Sequence, residues 1–200
     1  MGSPVLRIAL NPVAGRRSRA RGFTLIEIMT VVTIITLMLV IGVPALTEFV
    51  ADQRVRTVAS DINGDISLAR AKAIETNRRV YMQKLGVNWN NGWRLYADMN
   101  SNAVYDVGLD LELKRFDGFT TGTIYVCTLP IGGFVNQIIF RPDGRIARVG
   151  AVTATDGIYV VDPMSGASIA TNKVRGLQFG LSGRTTTLKL NGTAAPCVAN

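Results

Sequence analysis

The sequence contains no histidine in its 200 residues. That absence removes Ser-His-Asp triads, Cys-His dyads, HExxH zinc sites and any imidazole pH switch. Two cysteines are too few for a four-thiolate metal site or an iron–sulfur cluster. Neither an internal repeat nor a low-complexity linker interrupts the chain. Residues 1–22 contain no acid at all, although they hold Arg7, Arg16, Arg17, Arg19 and Arg21. The formal charge of +8 is therefore concentrated at the amino terminus, leaving +3 on the rest of the chain. A uniformly basic chain would point to nucleic acid or an anionic surface; this distribution points first to orientation in a membrane.

The residues after the arginines fit that reading. Ile28 to Thr47 is a run of 20 residues without a charge. At about 1.5 Å per helical residue it spans about 30 Å, the hydrocarbon thickness of a bilayer. Basic residues on one side of such a helix mark the cytoplasmic side and place the remainder outside. No Ala-x-Ala-like site follows promptly, as a cleaved secretory signal would require. A plain signal anchor would give no reason for Glu27, a carboxylate at the edge of the apolar run. An ionisable group there calls for a cation, such as an α-amino group freed by cleavage nearby.

The string Gly22-Phe23-Thr24-Leu25-Ile26-Glu27 after a short basic leader resembles the processing site of type IV prepilins and type II secretion pseudopilins. The resemblance implies a cut by prepilin peptidase between Gly22 and Phe23, on the cytoplasmic side, and N-methylation of Phe23. It implies recognition and orientation of the leader through Arg16, Arg17, Arg19 and Arg21. Glu27 becomes the assembly glutamate that meets a neighbouring subunit's amino terminus, a pairing a low-dielectric contact requires. Gly42 and Pro44 resemble the point where pilin helices loosen, proline removing a helical hydrogen bond.

Helical periodicity continues beyond the apolar run. Val55, Val58, Ala59, Ile62, Ile66, Ala69 and Ala73 form one apolar stripe at three- and four-residue steps. Arg54, Arg56, Asp61, Asp65, Arg70 and Lys72 fill the other faces. One helix is expected from about Phe23 to about Thr76, with Gly64 a weak spot costing roughly 1 kcal/mol relative to alanine. From Arg79 the pattern becomes strand-like, with candidates at Val80–Lys84, Gly92–Ala97, Leu111–Arg115, Thr123–Leu129, Gln137–Arg141, Gly157–Val161, Val174–Gly180 and Thr185–Leu190. Pro142-Asp143-Gly144 reads as a tight turn. The expected class is α+β: a long amino-terminal transmembrane helix, the pilin-like stem, packed on an antiparallel β-sheet domain. The expected divisions are a cleaved leader (1–22), a transmembrane and filament-core segment (23–49), an amphipathic periplasmic half of the stem (50–78) and a β-rich globular domain (79–200).

The stretches Asp65 to Ala71, Trp93 to Asn102 with Asp106, and Ile139 to Gly144 resemble the GspH/FimT group of minor pilins and pseudopilins. The resemblance implies a structural subunit and not an enzyme, held in the bacterial inner membrane by a single pass with its carboxy-terminal domain in the periplasm. It implies assembly into a periplasmic or extracellular filament. The implied partners are other pilins or pseudopilins through the amino-terminal helix, the prepilin peptidase/N-methyltransferase, and secreted cargo or DNA.

Three constellations remain open. Asp98, Asn100, Asn102 and Asp106 alternate in the manner of a calcium loop, but Ala103 and Leu109 stand where an EF-hand would have Gly and Glu. The simpler reading is an Asx-rich turn whose side chains cap their own backbone. No other cofactor is suggested. Arg175, Arg184 and Lys189 form a candidate DNA-binding set in a basic carboxy-terminal third. The Gly-Arg-x-Arg-like element of FimT-type members lacks its second arginine here, where the chain reads Gly183-Arg184-Thr185-Thr186. The other reading is a solvated, mildly basic sheet. Finally, export to an oxidising periplasm would suit a Cys127–Cys197 bridge. It would close a loop of about 70 residues and contribute roughly 4 kcal/mol; the alternative is two separate thiols.

Overall fold

The computed structural model describes residues 22–119, 124–128, 134–147, 157–162, 173–180 and 182–190. Helix α1 runs from Leu25 to Thr76. The chain divides into two units between Gly42 and Val43, two residues before Pro44, which stands inside the helix. In the first unit, the helical residues from Leu25 to Gly42 are all exposed. A window of α1 has a mean hydropathy of 2.5 with none of it buried. By length and composition it can cross a bilayer.

In the second unit, α1 supplies a buried stripe: Ala51, Val55, Ala59, Ile62, Asp65, Ile66, Ala69 and Ala73. Steps of three and four residues keep these side chains on one face. Val58 is only partly buried at its margin. Asp65 departs from expectation: it lies in the buried stripe at 3% exposure, not on the polar face. A short polar side chain fits there because two partners meet it, the Trp93 indole N–H at 2.8 Å and the Lys114 ammonium.

Among the described residues eight strands follow, at the strand-like runs of the sequence. They are β1 (Val80–Lys84), β2 (Trp93–Ala97), β3 (Leu111–Phe116), β4 (Tyr125–Thr128), β5 (Gln137–Phe140), β6 (Gly157–Asp162), β7 (Lys173–Phe179) and β8 (Thr185–Lys189). They form two four-stranded sheets, ordered β3-β2-β1-β5 and β4-β6-β7-β8, with every pairing antiparallel. The Pro142-Asp143-Gly144 turn brings Ile146 back to bridge Phe140, with the Gly144 N–H donating to the Arg141 carbonyl at 2.8 Å.

The two-residue period of the strands builds the core. Val80 and Met82, Trp93 and Leu95, and Ile138 and Phe140 from the first sheet join Ile158, Val160, Leu177 and Phe179 from the second against the helix stripe. The intervening residues of the first sheet face away and form a second layer, in which Tyr81 stacks on Tyr96 with centroids 5.1 Å apart, while Cys127, Tyr159, Val161 and Val174 of the second sheet form a separate cluster. The loop between β2 and β3 covers that layer through Tyr105, which stands edge-on to Tyr96 and under the Arg94 guanidinium at 3.9 Å. Arg94 and Arg115 are cross-strand neighbours. Glu112 at 3.0 Å from Arg94 and Asp117 at 2.6 Å from Arg115 offset their repulsion.

Candidate functional site

The start of α1 is built by Thr24-Leu25-Ile26-Glu27. The Glu27 N–H donates to Thr24 Oγ1 at 3.2 Å, and the Thr24 N–H donates to Glu27 Oε2 at 3.5 Å. This is the reciprocal capping box of a Ser/Thr-x-x-Glu sequence, satisfying two backbone donors that the first helical turn would leave unpaired. Thr24 was not singled out by sequence reasoning, although the spacing to Glu27 is the signal that finds it. The 3.5 Å contact is at the outer limit of a hydrogen bond. The Glu27 carboxylate therefore keeps most of its accepting capacity for a stronger cationic donor. Gly22 and Phe23 precede the helix and are exposed, Phe23 at 78%. The peptide between them is thus outside regular structure and accessible to a protease. Arg16, Arg17, Arg19 and Arg21 lie outside the described residues.

Beyond the apolar run, two acids on α1 hold strand β7. Glu48 accepts from Lys173 Nζ at 3.2 Å, and Asp52 accepts from Arg175 Nη2 at 2.9 and 3.3 Å. Asp52 also pairs with Arg56, one turn on, at 3.3 Å. Arg175 therefore serves an internal pair, its side chain 11% exposed, and is not the free surface cation expected from sequence. Its register opposite Lys189 puts both on the face of the second sheet that carries Leu177 and Phe179, which is the face turned toward α1. Lys189 is exposed, and so is Arg184 in the β7–β8 turn. Arg184 and Lys189 stand at opposite ends of the five-residue strand β8, separated by roughly 15 Å of strand rise. The three residues do not converge on one point.

In the loop after β2 the four calcium candidates are occupied with the chain itself. The Asp98 carboxylate accepts the Ser101 N–H at 2.7 Å and the Ala103 N–H at 3.0 Å. Asn100 and Asn102 both donate their amides to Asp106 Oδ2, at 2.8 and 2.6 Å. Asp110 accepts from the Met99 and Asp106 N–H groups, each at 2.8 Å. A hard cation needs six to eight converging oxygens, whereas here N–H donors already point at the carboxylates. Among the described residues no group of three or more acids, cysteines or histidines could hold a metal. The donor set does not fit calcium, and the Asx-turn account covers every one of these side chains. The bracing lets Ser101 and Ala103 hold positive φ values of 62° and 64°, a conformation that costs non-glycine residues free energy.

Cys127, buried on β4, is disulfide-bonded; Cys197 lies outside the described residues.

Residues 17–43 match the model of the prokaryotic N-terminal methylation motif. No curated protein matches the sequence. Among solved structures, the chain is similar to the type IV minor pilin FimU of Pseudomonas aeruginosa strain PAO1 in two crystal forms. In one the identity is 16% and the TM-score 0.48, covering 73% of this chain and 99% of that one. In the other the values are 16% and 0.45, covering 70% and 99%. Residues 58–193 match the family model described as type II transport protein GspH. That match takes in the outer part of α1, from Val58 on, and every described strand, and the chain belongs to the GspH family.

Proposed function

We propose that the chain is a non-enzymatic minor pseudopilin, incorporated near the tip of a type II secretion pseudopilus and supporting protein secretion. Residues 1–22 are the leader removed by prepilin peptidase between Gly22 and Phe23. Phe23 is N-methylated, residues 23–49 enter the inner membrane and then the filament core, and residues 79–200 face the periplasm on the stem of residues 50–78. The observation that carries the reading is the start of α1. An exposed Gly22–Phe23 peptide precedes a capped helix whose Glu27 carboxylate stands at the head of an unburied apolar run. An apolar surface of that length needs lipid or neighbouring helices around it, and Glu27 needs a cation there. The methylated amine of an adjacent Phe23 supplies it. A Cys127–Cys197 bridge would fix the carboxy-terminal tail to β4.

Mass spectrometry of the membrane-extracted protein tests the cleavage: the chain should begin at methylated Phe23, and an intact Met1 refutes the reading. Glu27→Val should leave processing intact and reduce incorporation into filaments.

A second reading is a FimT-like minor type IV pilin that takes part in pilus biogenesis and binds DNA during natural transformation. Exposed arginines in the β-rich domain favour it, Arg184 among them. Deleting the chain and assaying both protein secretion and DNA uptake separates the two readings.

A further inference from the structure

Arginines from separate stretches of the chain meet around the turn Arg141–Arg145. On one side of this turn, a cleft of about 630 Å³ is lined by Arg78 and Arg79, just past the end of α1, together with Arg141 and Ser101. On the other side, a cleft of about 450 Å³ is lined by Arg70 of α1 and Arg184 of the β7–β8 turn. The turns pack tightly between them. A Cβ at Gly144 would fall 3.2 Å from Arg70 Nε, and one at Gly183 would fall 2.4 Å from the Gly144 carbonyl oxygen. Arg145 is exposed on the same turn. Asp98 lines the larger cleft and Asp143 stands on the turn, and both carboxylates are engaged. Asp143 pairs with Arg141 at 3.3 Å and accepts the Arg145 N–H at 3.0 Å. Asp98, at 2% exposure, accepts the Ser101 and Ala103 N–H groups.

We infer that this arginine face binds the phosphate backbone of duplex nucleic acid. The inference rests on the second reading above and places its site around the Arg141–Arg145 turn, not on Arg175 and Lys189. Guanidinium groups match phosphate oxygens in a planar fork, which suits a surface built of arginine without lysine. A lipid headgroup is the wrong source of phosphate. Between Thr47, where the apolar run ends, and Thr76, α1 rises by about 44 Å, and Arg78 and Arg79 lie beyond Thr76. The larger cleft is lined mainly by polar and charged side chains. A protein partner would want an apolar centre, whereas phosphate interfaces are polar and positive. Among the described residues no aromatic side chain lines either cleft, so they offer no platform for stacking unpaired bases. Binding is therefore to the backbone and independent of sequence.

The test uses the full chain in uncharged detergent and a fluorescein-labelled mixed-sequence duplex, titrated by anisotropy across a salt series. Replacing Arg78, Arg79 and Arg141 together by Gln should weaken binding at least about tenfold at roughly 50 mM salt and flatten the log K against log salt slope by about 2.7. A charge-matched control, Arg54→Gln with Arg115→Gln and Lys189→Gln, should retain most of the parent slope, and circular dichroism should show both variants folded. Equal losses in the two variants would overturn the site, because net charge alone would explain them, while leaving the second reading standing. No binding of the parent to duplex even at low salt would overturn the site and the second reading together. Binding to a polyglutamate peptide in preference to duplex would overturn it in favour of an acidic protein partner.

Discussion

Asp65 is the sharpest place to perturb the packing of helix on sheet. It is the one charged residue in the buried stripe of α1, and it joins three elements: its own helix, β2 through Trp93 and β3 through Lys114. In Asp65→Ala the Trp93 indole N–H, on a side chain 2% exposed, loses its acceptor. Leaving a buried donor unpaired costs about 1–3 kcal/mol. Lys114 has a side chain 46% exposed and can turn to water, so its share is about 0–1 kcal/mol. The expected loss is therefore about 2–4 kcal/mol, a midpoint lowered by on the order of 5–15 °C for a chain of this size. Asp65→Asn keeps an oxygen facing the indole and gives up the charge, and should cost about 1 kcal/mol. Urea unfolding of the full chain in detergent, followed by tryptophan fluorescence and circular dichroism, measures both. If Asp65→Ala lies within about 0.5 kcal/mol of the parent, as surface substitutions do, the pairing is not holding the helix to the sheet. An Asn variant as damaging as Ala would refute the assignment of the main cost to the indole.

Other expectations come from single contacts. Gly64 is exposed on the helix with no atom within 4 Å of where a Cβ would stand; Gly64→Ala should raise stability by about 0.5–1 kcal/mol in the same unfolding measurement. Asp52→Ala strands the Arg175 guanidinium, whose side chain is 11% exposed, and should cost about 2–4 kcal/mol. Glu48→Ala touches a carboxylate side chain that is 54% exposed and should cost under about 1 kcal/mol; the reverse ranking would contradict the geometry. Burial raises the pKa of the Tyr96 hydroxyl well above its ordinary 10.0, with Tyr81, Asp98 and Asp110 adding to the effect. Its contribution to stability is therefore fully present below about pH 10 and lost as the pH climbs toward the folded-state value. Among the described residues that hydroxyl has no hydrogen-bond partner, so Tyr96→Phe should leave neutral-pH stability unchanged or higher. It should also lessen the alkaline loss in a urea-midpoint against pH series.

The residues legible in advance were those whose signal is local. Ala59, Ile62, Ile66, Ala69 and Ala73 repeat at helical steps, and all are buried. Val80–Lys84 and Gln137–Phe140 are legible as strands because each is a short apolar run bounded by turn residues. Thr24 is equally local: its three-residue spacing to Glu27 is the signature of a capping box. What the chain did not disclose is pairing across long separations. Asp65 has a polar neighbour pattern on the helix, yet its fate is set by Trp93 and by Lys114, 49 residues away. Arg175 presents as one more cation in a basic stretch until Asp52, 123 residues earlier, takes it out of solvent. Conversely Arg70, Arg78, Arg141 and Arg184 are ordinary singly, and only the contact of the Gly144 and Gly183 turns gathers them. A charge count fixes how many cations a chain has. Which remain available to a partner depends on which acids the fold has already brought to them, and here that transfers the open positive surface from β7 to the turn after β5.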